Sequence, residues 1–231
     1  MNILLTGSSS GIGRALCSHL LAAGHQVVGI ARRRQEENER FCPVQLDLSD
    51  LDALPDALRS LCKEHGSFDA VVCCAGQGRF GDLEQFSFAQ MRSLIDLDFT
   101  SQAFVVRALV QDMKRRGGGH IVLLGSEAAL RGTQKGTLYC AAKFALRGFA
   151  QALREETARH GIAVTLINPG MVRTPFFDAL DFRPAADPVC AIEPADIAAT
   201  IAHVLTMRPG TVLDEINLSP QKKVIDFNRE S

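Results

Sequence analysis

The chain has 231 residues, of which 46% are apolar and 22% charged, and its formal net charge is −1. This composition suffices for one globular domain with a full core and gives no general electrostatic reason to bind nucleic acid or an anionic membrane. The seven cysteines form no C-x-x-C pair and no Cys/His cluster at zinc spacing, so we expect reduced core cysteines, no metal and a soluble cytoplasmic protein.

The first predicted element is a short apolar strand from Asn2 to Thr6, which ends in a glycine-rich turn and is followed by a helix. Small residues in such a turn let the backbone approach a pyrophosphate, whose charge is stabilised by the N–H groups of the helix. We therefore expect a nucleotide there, although glycine turns can also be purely structural. The residues that would contact the nucleotide are Gly7, Ser9, Ser10, Gly11, Ile12 and Gly13.

The second predicted strand, Gln26 to Ala31, is followed by a basic run that begins with Arg32 and Arg33. A protein that binds NAD commonly has a carboxylate at this position for the ribose 2′-hydroxyl. Ala31 and the two arginines instead favour a 2′-phosphate, and so NADP(H) over NAD(H). The alternative is that the arginines belong to a solvated connection.

Further apolar runs predict more strands, which alternate with helical segments. The predicted strands are Cys42 to Leu46, Ala70 to Cys74, Ile121 to Leu124, Ala163 to Ile167 and a last one near Val212 to Ile216. The predicted helices are about Asp50 to His65, Phe86 to Arg116, a segment around Tyr139, and Pro194 to Met207. This alternation predicts a doubly wound parallel α/β sheet, the Rossmann fold, as one domain over residues 1–231, with ligands beyond the carboxyl ends of the strands.

Two segments indicate further features. Phe99 to Met113 is apolar on nearly every side of its predicted helix, which predicts a homo-oligomer, either a dimer or a tetramer. The irregular stretch at about 175–192 is a predicted lid over a substrate pocket. Its phenylalanines, among them Phe176 and Phe182, indicate an apolar or aromatic lining, but they also suit simple packing.

The only tyrosine of the chain, Tyr139, precedes Lys143 by four residues on a predicted helix. Residues at this spacing share one face of a helix, so the ammonium group can stabilise a phenolate. At about 4 Å and an effective dielectric constant of about 20 the attraction is roughly 4 kcal/mol. We therefore expect Lys143 to lower the pKa of Tyr139 towards neutrality and the pair to act as an acid or base, although similar pairs occur on solvated helices.

Several short motifs follow one another at predicted strand ends. They are Thr6-Gly7-x-x-x-Gly11-Ile12-Gly13, Asp47-Leu48, Ala75-Gly76, Ser126, Tyr139-x-x-x-Lys143 and Pro169-Gly170-x-x-x-Thr174. In their order, in their places and in the spacing of Ser126 and Tyr139, they resemble the short-chain dehydrogenase/reductase family over about residues 2 to 217. The resemblance implies that Tyr139 is the general acid or base, that Lys143 lowers its pKa and holds the nicotinamide ribose, and that Ser126 positions the substrate carbonyl.

The resemblance also implies contacts with a dinucleotide cofactor. Asp47 and Leu48 would touch the adenine, and Cys74, Ala75 and Gly76 would flank the adenosine ribose. On the nicotinamide side the implied contacts are Pro169, Gly170, Val172 and Thr174, together with Tyr139 and Lys143.

The chain departs from the family pattern in two places. Asn-Asn-Ala-Gly is replaced by Cys73-Cys74-Ala75-Gly76, which substitutes weakly donating thiols for amides, and we expect cofactor binding to survive. Asp98 stands where the family usually has an asparagine that supports a water relay to the lysine. It either points towards Lys143 and raises the pKa of Tyr139, or only satisfies local backbone N–H groups. We expect the second, because an uncompensated acidic group beside the relay would cost activity.

These features predict an NADP(H)-dependent oxidoreductase that interconverts a carbonyl and an alcohol on a small apolar or aromatic substrate. The candidate catalytic residues are Ser126, Tyr139, Lys143 and Asp98. The alternative is a nucleotide-sensing or scaffold protein that keeps the fold without turnover. A hydrolase with Ser126 as nucleophile is disfavoured, because no histidine with a mechanistic signature lies nearby in the sequence.

Overall fold

The computed structural model describes residues 1–227, and its centre is a seven-stranded parallel sheet with the strand order β3-β2-β1-β4-β5-β6-β8. The strands are β1 (Asn2–Thr6), β2 (Gln26–Ala31), β3 (Phe41–Gln45), β4 (Ala70–Cys73), β5 (Gly119–Leu124), β6 (Ile162–Pro169), β7 (Phe182–Pro184), β8 (Glu215–Leu218) and β9 (Ile225–Phe227). The α-helices are α1 (Gly11–Ala22), α2 (Leu54–His65), α3 (Phe88–Ile95), α4 (Ser101–Arg116), α5 (Thr137–Thr157) and α6 (Pro194–Leu205). The predicted doubly wound fold is confirmed.

Helices cover both faces of the sheet because the strands are apolar on both sides. Leu58 of α2, Leu109 of α4 and Leu146 of α5 are buried in the core on one face. Leu16 of α1 and Ile201 of α6 are buried in the core on the other face. The strand order reverses between β1 and β4, and the crevice at such a reversal is where doubly wound sheets bind ligands.

The structure corrects three predicted boundaries. Helix α2 begins at Leu54 and not near Asp50, because the Asp50 carboxylate accepts the Ala53 N–H and forms a turn first. The last strand of the sheet begins at Glu215, since the register of β6 pairs Leu166 with that residue. The long predicted helix is two α-helices separated by a π-helical turn, Asp96–Thr100.

Helix α4 is better covered within one chain than its sequence suggests. It packs against α2 and against strands β4 and β5. Val105 and Leu109 are buried, and Phe104 packs half-buried against the core. The chain itself therefore covers part of the apolar surface of this helix. On helix α5, the large apolar side chain of Phe144 is 44% exposed.

The predicted lid is a loop with a closed base. The N–H of Arg173 donates to the carbonyl of Ile192 at 2.9 Å, and the N–H of Ile192 donates to Met171 at 2.8 Å. Within the loop, β7 pairs antiparallel with β9 near the end of the described chain. This pairing between the lid and the tail was not predicted, because neither three-residue strand has a pattern of its own.

Candidate active site

The turn after β1 has the shape that a pyrophosphate requires. Gly7 has φ of +73°, and a Cβ atom on Gly13 would lie 2.2 Å from the carbonyl oxygen of Gly7. The N-cap of α1, Ser10, makes no side-chain hydrogen bond to the helix, so the first N–H groups of α1 lack a side-chain cap. These groups and the helix dipole suit an anion, and the residues present therefore fit the phosphates of a dinucleotide.

The connection after β2 lies beside this turn. Arg32, Arg33 and Arg34 are exposed, and within residues 1–227 they form no ion pair at 4.0 Å or less. The side chain of Gln35 folds back onto Ser8, with its Oε1 accepting from Ser8 Oγ at 2.5 Å and its Nε2 donating to the Ser8 carbonyl at 3.3 Å. Sequence analysis missed Gln35, because a glutamine in a polar run gives no signal of a contact 27 residues away.

The two residues predicted to contact the adenine, Asp47 and Leu48, follow β3. The Asp47 carboxylate accepts the Ser49 N–H at 2.9 Å and the Ser49 hydroxyl at 2.7 Å. These bonds, together with nearby Arg32, hold the pKa of Asp47 below its usual range. Leu48 is 4% exposed and packs into the core under α2, so its side chain has little surface for the adenine.

The segment after β4, residues 74–76, packs directly against the glycine turn. The Ala75 N–H donates to Thr6 Oγ1 at 3.1 Å, and a Cβ atom on Gly7 would lie 3.0 Å from the Ala75 nitrogen. Burial raises the pKa of the Cys74 thiol to about 12, although Lys143 opposes the change. Cys74 therefore stays protonated and neutral near pH 7.

Thr174 brings the segment after β6 to the start of α1. Its Cγ2 would lie 3.3 Å from a Cβ atom on Gly11. The Gly170 N–H donates to Leu218 of β8 at 2.7 Å, and Val172 is 6% exposed. The segment after β6 thus lies at the same edge of the sheet as the turn, and Thr174 is the residue that approaches the turn.

The three residues expected to carry the chemistry converge. Ser126 follows β5, and its hydroxyl accepts the Ala128 N–H at 3.2 Å. Tyr139 and Lys143 lie one turn apart on α5 and are 7% and 5% exposed. The Ser126 side chain interacts with the Tyr139 phenol and acts to lower its pKa, and the Lys143 Nζ lies 5.5 Å from the centre of the Tyr139 ring.

The expected lowering of the Tyr139 pKa is not observed. Burial raises the pKa of Tyr139 above its ordinary value, and Lys143 and Ser126 oppose this increase without cancelling it. The negative charge of Asp98 raises it further. The Coulomb estimate made from the sequence omitted both the desolvation of the phenol and the second charge.

Asp98 faces Lys143, and the expectation that it only satisfies backbone groups is wrong. Its Oδ2 lies 3.4 Å from Lys143 Nζ, while its Oδ1 accepts the backbone N–H of Gln77 at 2.9 Å. Burial raises the pKa of Asp98, against the opposing effects of Lys143 and Gln77. Burial alone would lower the pKa of Lys143, but the charge of Asp98 reverses the direction, so the pKa of Lys143 is raised.

The π-helical turn explains how Asp98 reaches this position. One extra residue in a helical turn rotates the side chains that follow, and such turns are frequent at functional sites. The main-chain carbonyl of Asp98 accepts the Gln102 side-chain amide at 3.1 Å, and the same amide donates to Ala75 at 3.0 Å. Gln102 therefore takes one of the two acceptor positions of the Asp98 carbonyl oxygen.

Aromatic side chains cover the phenol. The rings of Phe80 and Phe176 lie 5.1 Å and 5.9 Å from that of Tyr139, centre to centre. Phe182 of β7 contacts both Phe80 and Phe177, at 5.0 Å and 5.8 Å. Phe80 was not predicted, because it lies in a glycine-containing segment without periodicity.

A cavity of about 420 Å³ lies between the lid and the segment after β6. Its lining residues are Arg173, Thr174, Phe177, Asp178, Arg183 and Pro184. Within residues 1–227, no helix is long and apolar enough to cross a membrane.

Comparisons with known proteins agree with the fold. The family model described as short chain dehydrogenase matches residues 1–183. An uncharacterized oxidoreductase of Staphylococcus epidermidis is 29% identical over 224 residues, covering 94% of this chain and 96% of the relative. The crystal structure of a short-chain dehydrogenase from Streptomyces avermitilis has a TM-score of 0.82 and 27% identity, covering 94% of this chain and 87% of that one. The closed form of a serine dehydrogenase complexed with NADP⁺ has the same fold, with a TM-score of 0.83 and 23% identity over 94% of each chain.

Proposed function

The chain belongs to the short chain dehydrogenase family, and we propose that it is an NADP(H)-dependent oxidoreductase that interconverts a carbonyl and an alcohol. The observation that carries this proposal is the cluster of the half-buried Ser126 with the buried Tyr139 and Lys143 at the carboxyl end of the sheet. A phenol beside both a hydroxyl and an ammonium group is suited to move one proton to or from a substrate oxygen.

Each residue of the cluster has a distinct role in reduction. Ser126 donates a hydrogen bond to the carbonyl oxygen, and Tyr139 transfers its phenolic proton to that oxygen as the alcohol forms. Lys143 stabilises the phenolate that remains, because its positive charge is held close to the ring. The nicotinamide, when bound, supplies the hydride in reduction and accepts it in oxidation.

The preference for NADP(H) over NAD(H) rests on the connection after β2. Ala31 supplies no carboxylate for a ribose 2′-hydroxyl. Arg32 and Arg33 are exposed, have no partner among the ion pairs of residues 1–227, and follow the strand that ends beside the glycine turn. An exposed guanidinium can form charge-assisted hydrogen bonds with a 2′-phosphate.

The substrate class rests on the aromatic cover of Tyr139. A carbonyl carbon that reacts beside the phenol would lie close to Phe80 and Phe176, and Phe182 packs against Phe80, which favours an apolar or aromatic group next to the carbonyl. Aromatic rings stack in offset or edge-to-face arrangements, and such pairs contribute about 0.5–1.5 kcal/mol beyond their buried area.

We also propose a homo-oligomer, supported now by α5 more than by α4. Phe144 is 44% exposed on the outer face of α5. On α4, Phe104 and Val110 are only partly buried against the core. A second copy covering these side chains would remove apolar surface from water.

A substrate screen with the full chain tests the function. NADPH and NADH oxidation are followed with aldehydes, ketones and diketones, and NADP⁺ reduction is followed with the matching alcohols. We expect turnover with NADPH and aromatic or apolar carbonyls, and none for Tyr139→Phe. Tight NADP⁺ binding without turnover on any compound would favour the nucleotide-sensing alternative.

A further inference from the structure

The side chain of Gln35 joins the connection after β2 to the phosphate-binding turn. Both polar atoms of its amide contact Ser8: Oε1 accepts the Ser8 hydroxyl at 2.5 Å, and Nε2 donates to the Ser8 carbonyl at 3.3 Å. Ser8 is fully buried, and a Cβ atom on Gly29 of β2 would lie 2.8 Å from its Oγ. Close packing therefore holds Ser8 in place, and it is a rigid anchor for Gln35.

The connection has few other restraints on its position. Residues 32–37 form no helix or strand. Near their start, the Gln45 side-chain amide donates to the Arg32 carbonyl at 3.1 Å. Gln35 provides the second restraint, so the backbone of the arginine run is held on both sides of Arg33 and Arg34.

The chemistry of the Gln35 side chain suits an anionic ligand at this place. A glutamate could accept the Ser8 hydroxyl, but it could not donate to the Ser8 carbonyl, and its charge would repel a phosphate. The neutral amide makes both bonds and leaves the positive field of the arginines intact. A cation on a restrained backbone also loses less conformational freedom when it binds a ligand.

We propose that Gln35 is a positioning residue for cofactor selectivity. Through its two hydrogen bonds with Ser8 it holds Arg32 and Arg33 where they can bind the 2′-phosphate of the adenosine ribose. The inference rests on the proposed preference for NADP(H) and names the residue that enforces it. Gln35 acts through the arginines and does not itself take part in the reaction.

Binding calorimetry on the full chain tests this inference without knowledge of the substrate. The dissociation constants of NADP⁺ and NAD⁺ are measured, since the two ligands differ only by the 2′-phosphate. For Gln35→Met, which keeps the length of the side chain but removes both hydrogen bonds, we expect NADP⁺ to bind about tenfold more weakly. We expect the NAD⁺ dissociation constant to stay within about twofold, because its ribose needs no arginine.

Two further variants sharpen the test. Gln35→Glu retains an acceptor for the Ser8 hydroxyl but adds a negative charge, so we expect a larger loss of NADP⁺ binding than in Gln35→Met and again little change for NAD⁺. Gln26→Met makes the same chemical change at an exposed position at the opposite end of β2, and we expect it to leave both dissociation constants unchanged. Ser8→Ala removes one of the two bonds from the other partner and serves if Gln35→Met does not fold.

The outcomes separate this inference from the function on which it rests. If Gln35→Met weakened the binding of NADP⁺ and of NAD⁺ equally, Gln35 would only stabilise the glycine turn, and the inference would be overturned. An unmodified chain that prefers NADP⁺, with a Gln35→Met variant that keeps the full preference, would also overturn it but leave the proposed function standing. An unmodified chain that binds both cofactors equally would refute the NADP(H) preference and the inference together.

Discussion

Lys143 Nζ lies 3.4 Å from Asp98 Oδ2, and both side chains are almost completely buried, at 6% and 0% exposure. The family pattern has at this position an asparagine that supports a water relay to the lysine. In this chain a carboxylate contacts the lysine directly, and Gln102 binds the carbonyl of Asp98. The positive charge beside Tyr139 is thus partly neutralised by a neighbour, which affects how readily the phenol loses its proton.

The first prediction concerns the pH dependence of Asp98→Asn. Oxidation requires the deprotonated Tyr139, so its rate rises with pH through the pKa of that phenol. The charge of Asp98 raises this pKa, and removing the charge lowers it. The rise in oxidation rate should therefore move to lower pH, as measured by a pH–rate profile of kcat. Asp96→Asn, on the same π-helical turn, is the control, and superimposed profiles for parent and Asp98→Asn would contradict the prediction.

The second prediction is that Tyr139→Phe loses turnover but keeps cofactor binding. The change removes the only phenol of the chain and leaves the glycine turn untouched. General acid–base catalysis usually contributes about 10²–10⁴-fold, so kcat should fall by about that factor, while the NADPH dissociation constant from fluorescence titration should stay within about twofold. Lys143→Ala should impair both quantities. A Tyr139→Phe variant that retains more than about a tenth of the parent kcat would mean that the proton comes from another group.

The third prediction is that Arg32→Asp erases or reverses the cofactor preference. A charge-assisted hydrogen bond contributes about 1.5–3 kcal/mol, so its loss should weaken the binding of NADPH by about one to two factors of ten. The new carboxylate can also accept the ribose 2′-hydroxyl of NADH. The ratio of kcat/KM for the two cofactors measures the effect. Arg208→Asp, in the exposed segment before β8, makes the same change near the opposite edge of the sheet, and it should leave the ratio unaltered.

The fourth prediction is that the chain assembles through the outer face of α5. The mass measured by light scattering at micromolar concentration should be at least twice the 25.0 kDa of one chain. Phe144→Glu should shift the assembly towards the monomer, because a buried, unpaired carboxylate costs several kcal/mol. Phe88 of α3 is more exposed, at 86%, but lies outside α5, so Phe88→Glu tests whether the effect is specific to the outer face of α5, and the prediction expects it to leave the mass unchanged. A monomeric parent chain would refute the prediction.

Much of the fold could be predicted from local pattern alone. The short apolar runs became the strands of the parallel sheet, because a strand covered by helices on both faces needs apolar residues at every position. The turn from Gly7 to Gly13 could be recognised for a similar reason, since its backbone conformation and close packing admit no larger side chain at Gly13. The spacing of Tyr139 and Lys143 placed both residues on one face of α5, because the helical period is the same in any protein.

The interactions between distant residues were decided only by the tertiary structure. Asp98 faces Lys143 because a π-helical turn interrupts the long helix, and no residue type in Asp96–Thr100 signals that extra residue. Gln35 reaches Ser8 only because β2 lies next to β1 in the sheet. The direction of the Tyr139 pKa depends on burial and on a second charge, and both follow from packing across the whole chain. Local sequence thus determined which groups are present at the site, and tertiary packing determined which of them touch and in which protonation state they are held.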